Sequence, residues 1–159
     1  CGWAYETRSN IFVPNRNFSI NLQDALLDYG FQDVIISDDH LEEDIFQIWC
    51  FDIPEKVELA LKNIPQKFKS YRWNELSAEI LPGKESKGNG ILKVKEKFKV
   101  ECQVISFGDG VNDIEMFEIS DIAVVMGNAD EKLKKYADFV TGDCDKGGIK
   151  EAFERLGIK

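Results

Sequence analysis

Residues 103–117 read QVISFGDGVNDIEMF, and this stretch decides the fold. Val104, Ile105 and Phe107 make an apolar run suited to one buried strand. Gly108 and Gly110 end it in a tight turn where backbone can come close to a ligand. Asp109 stands at the carboxyl end of that strand, where open α/β sheets place their ligand crevice. Asn112 and Asp113 then open the next helix, whose free N–H groups and dipole favour anions. Two carboxylates four residues apart, one on a strand tip and one on a first helical turn, can face a single cation. Hard oxygen donors of this kind suit Mg2+, which keeps several waters and shares phosphate oxygens with a substrate. A common turn followed by a helix cap at Asp113 gives the same residues a purely structural use, so the flanks have to discriminate.

From Ser86 onward the chain alternates. The pattern predicts a helix over about 88–99, a strand over 102–107, a helix over 112–119 and a strand over 121–126. A helix over 129–136, a short strand over 138–141 and a helix over 146–157 follow, the last with Ile149, Ala152, Phe153 and Leu156 on one stripe. Apolar strands alternating with helices predict a parallel sheet covered on both faces.

Residues before about 81 have another rhythm. NLQDALLDYG (21–30) places Leu22, Ala25, Leu26 and Tyr29 at helical spacing and stops at Gly30; DVIIS (33–37) and IFQIWCF (45–51) read as strands. Pro54 opens a second helix, with Val57, Ala60, Leu61 and Ile64 on its apolar face. KFKSYRW and ELSAEIL, on either side of Asn74, read as paired strands. An antiparallel sheet with helices on one side is the expected result. LPGKESKGNG (81–90), with four Gly or Pro in ten residues, reads as the hinge, which divides the chain into an α+β part (1–81) and an α/β part (82–159).

Composition bounds the function classes. The 159 residues are 43% apolar and 31% charged with eleven Phe, an ordinary folded composition rather than a disordered one. No apolar run approaches the ~20 residues of a membrane span, so no membrane partner is expected. With 29 acidic against 20 basic side chains, a net charge of -9 disfavours nucleic acid. Six Lys against two Glu over 84–99 lack interleaved aromatics and fit a solvated helix face. Cysteines 1, 50, 102 and 144 show no metal or disulfide spacing, which suggests a mostly buried, reduced set in a cytoplasmic protein.

Combined with its flanks, the opening stretch resembles a known family. GDGVNDIEMF, preceded by Lys87 in SKGNGI and followed by DIAVVMGNADEKLKKYADFVT and KGGIKEAF, is similar to the C-terminal half of the haloacid dehalogenase (HAD) superfamily, in its Cof-type phosphatase branch. The resemblance implies an α/β, HAD-like parallel-sheet (Rossmann-like) core, present in part at 82–159, with residues 1–81 as an α+β cap domain. It also implies a magnesium-dependent phosphomonoester hydrolase acting through an aspartyl-phosphate. Asp109 and Asp113 would then be the metal pair, and Lys87 would neutralise nucleophile and phosphate. Asn112 would orient the loop or the phosphate, and Asn128 would cap the next helix. The implied partner is a small phosphorylated metabolite, whether sugar phosphate, nucleotide or cofactor phosphate.

One departure is large. The family's first motif, an apolar strand ending in DxDGT that carries the nucleophile, does not occur in these residues, and neither does a recognisable second motif. VIISDDH (34–40) lacks the DxD spacing, and Asp38, Asp39 and His40, with Glu42, Glu43 and Asp44 beside them, read as an acidic loop. The expectation is that the nucleophile lies outside this chain, with an upstream fragment or a dimer partner covering the exposed core edge. An inactive HAD-like fragment serving as a binding or regulatory module is the alternative. Trp49, Tyr71, Arg72 and Trp73 suit either a cap pocket or a core, and no substrate residue is assigned.

Overall fold

The computed structural model describes residues 1–14, 20–28, 30–31, 33–37 and 43–158. Tyr29, Asp38, Asp39, His40 and Glu42, singled out above, lie outside the described residues. The chain divides into two compact units, Cys1–Lys84 and Glu85–Lys159.

The first unit is built on six strands. β1 (Gly2–Glu6), β2 (Ile11–Val13), β3 (Val34–Ile36), β4 (Gln47–Phe51), β5 (Phe68–Asn74) and β6 (Ser77–Pro82) lie in the order β3-β2-β1-β4-β6-β5. Helix α1 (Ile20–Asp28) connects β2 to β3, and α2 (Pro54–Lys62) connects β4 to β5. All neighbours are antiparallel except β2 and β3. The expected purely antiparallel sheet is therefore mixed. The helix between β2 and β3 returns the chain to the same end of the sheet, as any parallel pair requires.

The helices also lie on opposite faces rather than on one side. Side chains alternate along a strand. Trp49 and Phe51 of β4 join Ala4, Val13 and the α1 residues Leu22 and Leu26. Cys50, between them, joins Val57 of α2 and Ala78 of β6, with Trp3 and Ala60 against the cluster. Trp49, Cys50 and Phe51 are buried in succession, so both faces of β4 need cover. Trp49 and Trp73 pack together at 6.1 Å between ring centroids and belong to this core. Arg72 instead braces the turn after β5, donating to the carbonyls of Asn74 and Glu75 and pairing with Glu58 at 3.1 Å.

The second unit carries three parallel strands, β7 (Ile105–Gly108), β8 (Ile122–Val125) and β9 (Phe139–Val140), in that order. Helix α3 (Lys87–Phe98) precedes β7. One 3-10 turn (Val111–Asp113) and α4 (Ile114–Glu118) follow it, α5 (Glu131–Lys134) follows β8, and α6 (Gly148–Leu156) follows β9. Ala123, Val124 and Val125 are buried in succession, as a strand covered on both faces demands. Phe117, Ala129 and Leu133 complete the cluster on Ala123 and Val125. In α6, Ala152 is fully buried and Phe153 meets the ring of Phe107 edge-on at 5.4 Å, but Ile149 of the expected stripe is 48% exposed. Among the described residues no strand pairs with the other edge of β7.

Two further expectations change. β6 runs to Pro82 and the Ser86 hydroxyl caps α3 by accepting the Asn89 N–H at 3.0 Å, so Gly88 and Gly90 are helical and not part of a hinge. Gly88 is there for contact: a Cβ would overlap the Glu115 carbonyl oxygen at the start of α4. Cys50 is buried and the Cys1 side chain is only 5% exposed, whereas Cys102 and Cys144, outside the strands, are exposed. No helix among the described residues is long and apolar enough to cross a membrane.

Candidate active site

Strand β7 delivers its chain end into a short loop that folds back on itself. Asp113, two residues beyond Val111, turns its carboxylate inward and is almost fully buried. Its Oδ2 accepts the backbone N–H groups of Asp109 and Gly110, each at 3.0 Å, and the Asp113 N–H donates back to the Gly110 carbonyl at 3.0 Å. These reciprocal bonds fix the loop's shape. Gly108 is required beneath them, because a Cβ would overlap Asp113 Oδ2. The Asn112 side-chain oxygen lies folded over Gly110, where a Cβ would come within 2.7 Å of it.

Lys87 reaches this loop from the first turn of α3. Its Nζ donates to Asp113 Oδ1 at 2.5 Å, with the lysine side chain 51% exposed and the aspartate 4%. The close approach of α3 to α4 through Gly88 makes that reach possible. A buried carboxylate needs a charge partner and hydrogen bonds; Asp113 has Lys87 and two backbone amides. Lys87 is thereby held at the loop with about half of its side chain open to solvent.

Asp109 differs from Asp113 in exposure and partner. It stands exposed at the end of β7, and its Oδ2 accepts a hydrogen bond from Asn128 Nδ2 at 2.8 Å. Asn128 Oδ1 accepts the Cys144 N–H at 2.9 Å, so this amide ties Asp109 to the loop after β9. Asn128 does not cap α5, contrary to expectation. Asp130 does, accepting the Lys132 N–H at 2.8 Å, because the helix begins three residues after the asparagine. The signal was available: MGNA follows β8 at the same sheet end as Asp109, and crevices form there.

The donors of this loop are carboxylate, amide and carbonyl oxygens with one ammonium. Among the described residues no group of three or more His, Cys, Asp and Glu gathers in a metal-holding cluster. Few protein donors, all hard oxygen, fit Mg2+ better than a metal needing a full protein cage. Asp109 is the carboxylate available to such an ion. Asp113 has Lys87 on one oxygen and two amides on the other.

The family model described as haloacid dehalogenase-like hydrolase matches residues 1–153. YkrA of Bacillus subtilis is 41% identical over 119 residues, which cover 73% of this chain and 45% of YkrA. A phosphoglycolate phosphatase of Archaeoglobus fulgidus is 38% identical over 80 residues, covering 50% of this chain and 36% of the relative. The chain thus spans less than half the length of either. Among solved structures, the HAD subclass IIB sugar phosphatase BT4131 superposes with a TM-score of 0.82 at 28% identity, covering 99% of this chain and 61% of that one.

Proposed function

Because this chain belongs to the haloacid dehalogenase-like hydrolases, in their Cof-type branch and with their α/β fold, we propose that it is part of a phosphatase. The reaction is Mg2+-dependent hydrolysis of a phosphomonoester of a small metabolite. In this reading residues 1–81 are the cap and 82–159 the C-terminal half of the core, a division that the units Cys1–Lys84 and Glu85–Lys159 support. The nucleophilic aspartate lies outside this chain, on a strand beside the edge of β7 that no strand among the described residues pairs, supplied by a further segment of the protein or by a partner subunit.

The observation that carries the reading is the Lys87–Asp113 pair beside exposed Asp109 at the carboxyl end of β7. Asp109 would hold the metal, with Asp113 behind it as direct or water-mediated support. Bound there, Mg2+ supplies positive charge against the phosphoryl oxygens. Lys87 supplies a second, oriented by a carboxylate too buried to reach the substrate itself. Phosphoryl transfer depends mainly on positioning and charge neutralisation, and these side chains perform both. Asn112 shapes the loop over Gly110, and Asn128 keeps Asp109 turned toward the crevice.

The test is hydrolysis of a generic aryl phosphate with Mg2+. The 159-residue chain alone is expected to show no turnover, since it holds no DxDGT motif. Complementation with the motif-bearing segment of a relative restores turnover, and Asp109→Asn or Lys87→Ala then lowers it by about 100-fold or more. Turnover by the chain alone that Asp109→Asn abolishes would contradict the assignment of the nucleophile. A folded but inactive complemented protein would favour the binding-module alternative, and unchanged turnover in Lys87→Ala would remove the lysine from the site.

A further inference from the structure

In the unit Cys1–Lys84, α2 leaves a cavity of about 580 Å³ above its face of the sheet, lined by Trp3, Ile48, Leu59, Phe68, Ile80 and Cys1. Cys1 lies on the sheet face that Cys50 shares. In the β1–β4 register Trp3 is opposite Cys50, so Cys1, two residues from Trp3, is its diagonal neighbour. The two free thiols bring their sulfurs to 2.6 Å. Neither side chain belongs to the Lys87–Asp109–Asp113 site.

We propose that Cys1 and Cys50 form an oxidisable dithiol, converted to a disulfide by a hydroperoxide that enters through the cavity. Cys1, its side chain 5% exposed, acts first because it lines the cavity through which the oxidant arrives. Cys50 is not part of that lining, and its thiol is pushed up to about 11 by burial, so that it carries little thiolate. The Cys1 thiolate attacks one peroxide oxygen, the O–O bond breaks and the alcohol or water leaves, giving a sulfenic acid. The Cys50 sulfur then attacks the sulfenic sulfur, forming the S–S bond; its proton leaves with the departing hydroxyl as water. Two thiols and one hydroperoxide become one disulfide, one alcohol (or water) and one water, with the sulfurs losing two electrons to the peroxide. The bond would tie β1 to β4 across 49 positions of sequence, which constrains the unfolded chain and raises the unfolding midpoint.

The experiment uses the 159-residue chain with Cys102→Ser and Cys144→Ser, treated with hydrogen peroxide, then unfolded and exposed to a maleimide. The expected product is monomeric, lighter by two hydrogens and free of maleimide adducts; reduction restores two adducts and lowers the unfolding midpoint. Cys1→Ser should abolish the mass loss and leave Cys50 maleimide-reactive, and Cys1→Ala repeats that result should serine disturb the strand. Two retained thiols after peroxide, a sulfinic acid on Cys1 beside an intact Cys50 thiol, or a disulfide formed only after prior unfolding in denaturant would each overturn the proposal.

Discussion

Strand β4 in the first unit and strand β8 in the second solve the same problem differently. Each buries three consecutive residues, Trp49 to Phe51 and Ala123 to Val125. β4 is covered by large side chains on its α1 face and by Val57, Ala78 and Trp3 on its α2 face. The sheet also buries Glu79, which lies opposite Trp49 and accepts from Gln47, with Glu6 nearby. β8 and its neighbour β7 bury small side chains and end in glycine loops, where backbone packs against backbone and carboxylates turn toward the chain ends. The first unit is held by side-chain volume. The second is held by close main-chain contact, which lets Asp109, Asp113 and Lys87 meet at one sheet end.

The largest effect that would sharpen this contrast lies in the first unit. Trp49→Ala should cost about 4 kcal/mol in chemical denaturation, the range for a truncated core aromatic. Trp49→Phe should cost less than about 1.5 kcal/mol, since the buried indole N–H has no hydrogen-bond partner among the described residues to lose. Equal losses in the two variants would mean that the polar atom matters as much as the volume.

In the second unit the sensitive positions should be glycines. Gly88→Ala should destabilise by about 2 kcal/mol through overpacking against Glu115. Gly90→Ala, two residues on, has nothing within 4 Å of the added Cβ among the described residues, and should stabilise the helix by about 0.5–1 kcal/mol. If both variants are neutral in denaturation melts, α3 does not depend on that main-chain contact.

The smallest effect concerns Glu6, at the end of β1. Burial, and then the charge of Glu79, raise the Glu6 carboxyl above its ordinary value of 4.5. The folded state therefore holds the proton more tightly than the unfolded one. Stability falls as pH rises from that ordinary value through the folded one. Glu6→Gln should flatten this slope and slightly stabilise the protein at neutral pH; a steeper slope in the variant would reverse the assignment.

The turn at 108–110 and the alternation after Ser86 were legible because both depend on local order along the chain, on apolar runs and glycines. The strand expected over 102–107, however, is β7 at Ile105–Gly108, where Ser106 is buried and Val104, Ile105 and Phe107 are half-buried. The faces chosen by α1 and α2 were not legible, since an apolar run such as IWCF does not reveal which residue meets which helix. Gly88 read as a hinge because a glycine needed for close packing looks the same in sequence as one needed for freedom. Asn128 read as a cap because its partners, Asp109 and the Cys144 amide, are distant in sequence and meet only through the parallel sheet.

In the proposed phosphatase the end of β7 carries the metal site, with Asp109 as its available carboxylate. A Mg2+ titration of the 159-residue chain, followed through the backbone amide resonances of Asp109 and Gly110, tests it most directly. Saturable shifts confined to residues 108–113 and 128, lost in Asp109→Asn while the rest of the spectrum stays unchanged, are the predicted result. Shifts of equal size and midpoint in wild type and Asp109→Asn would contradict it.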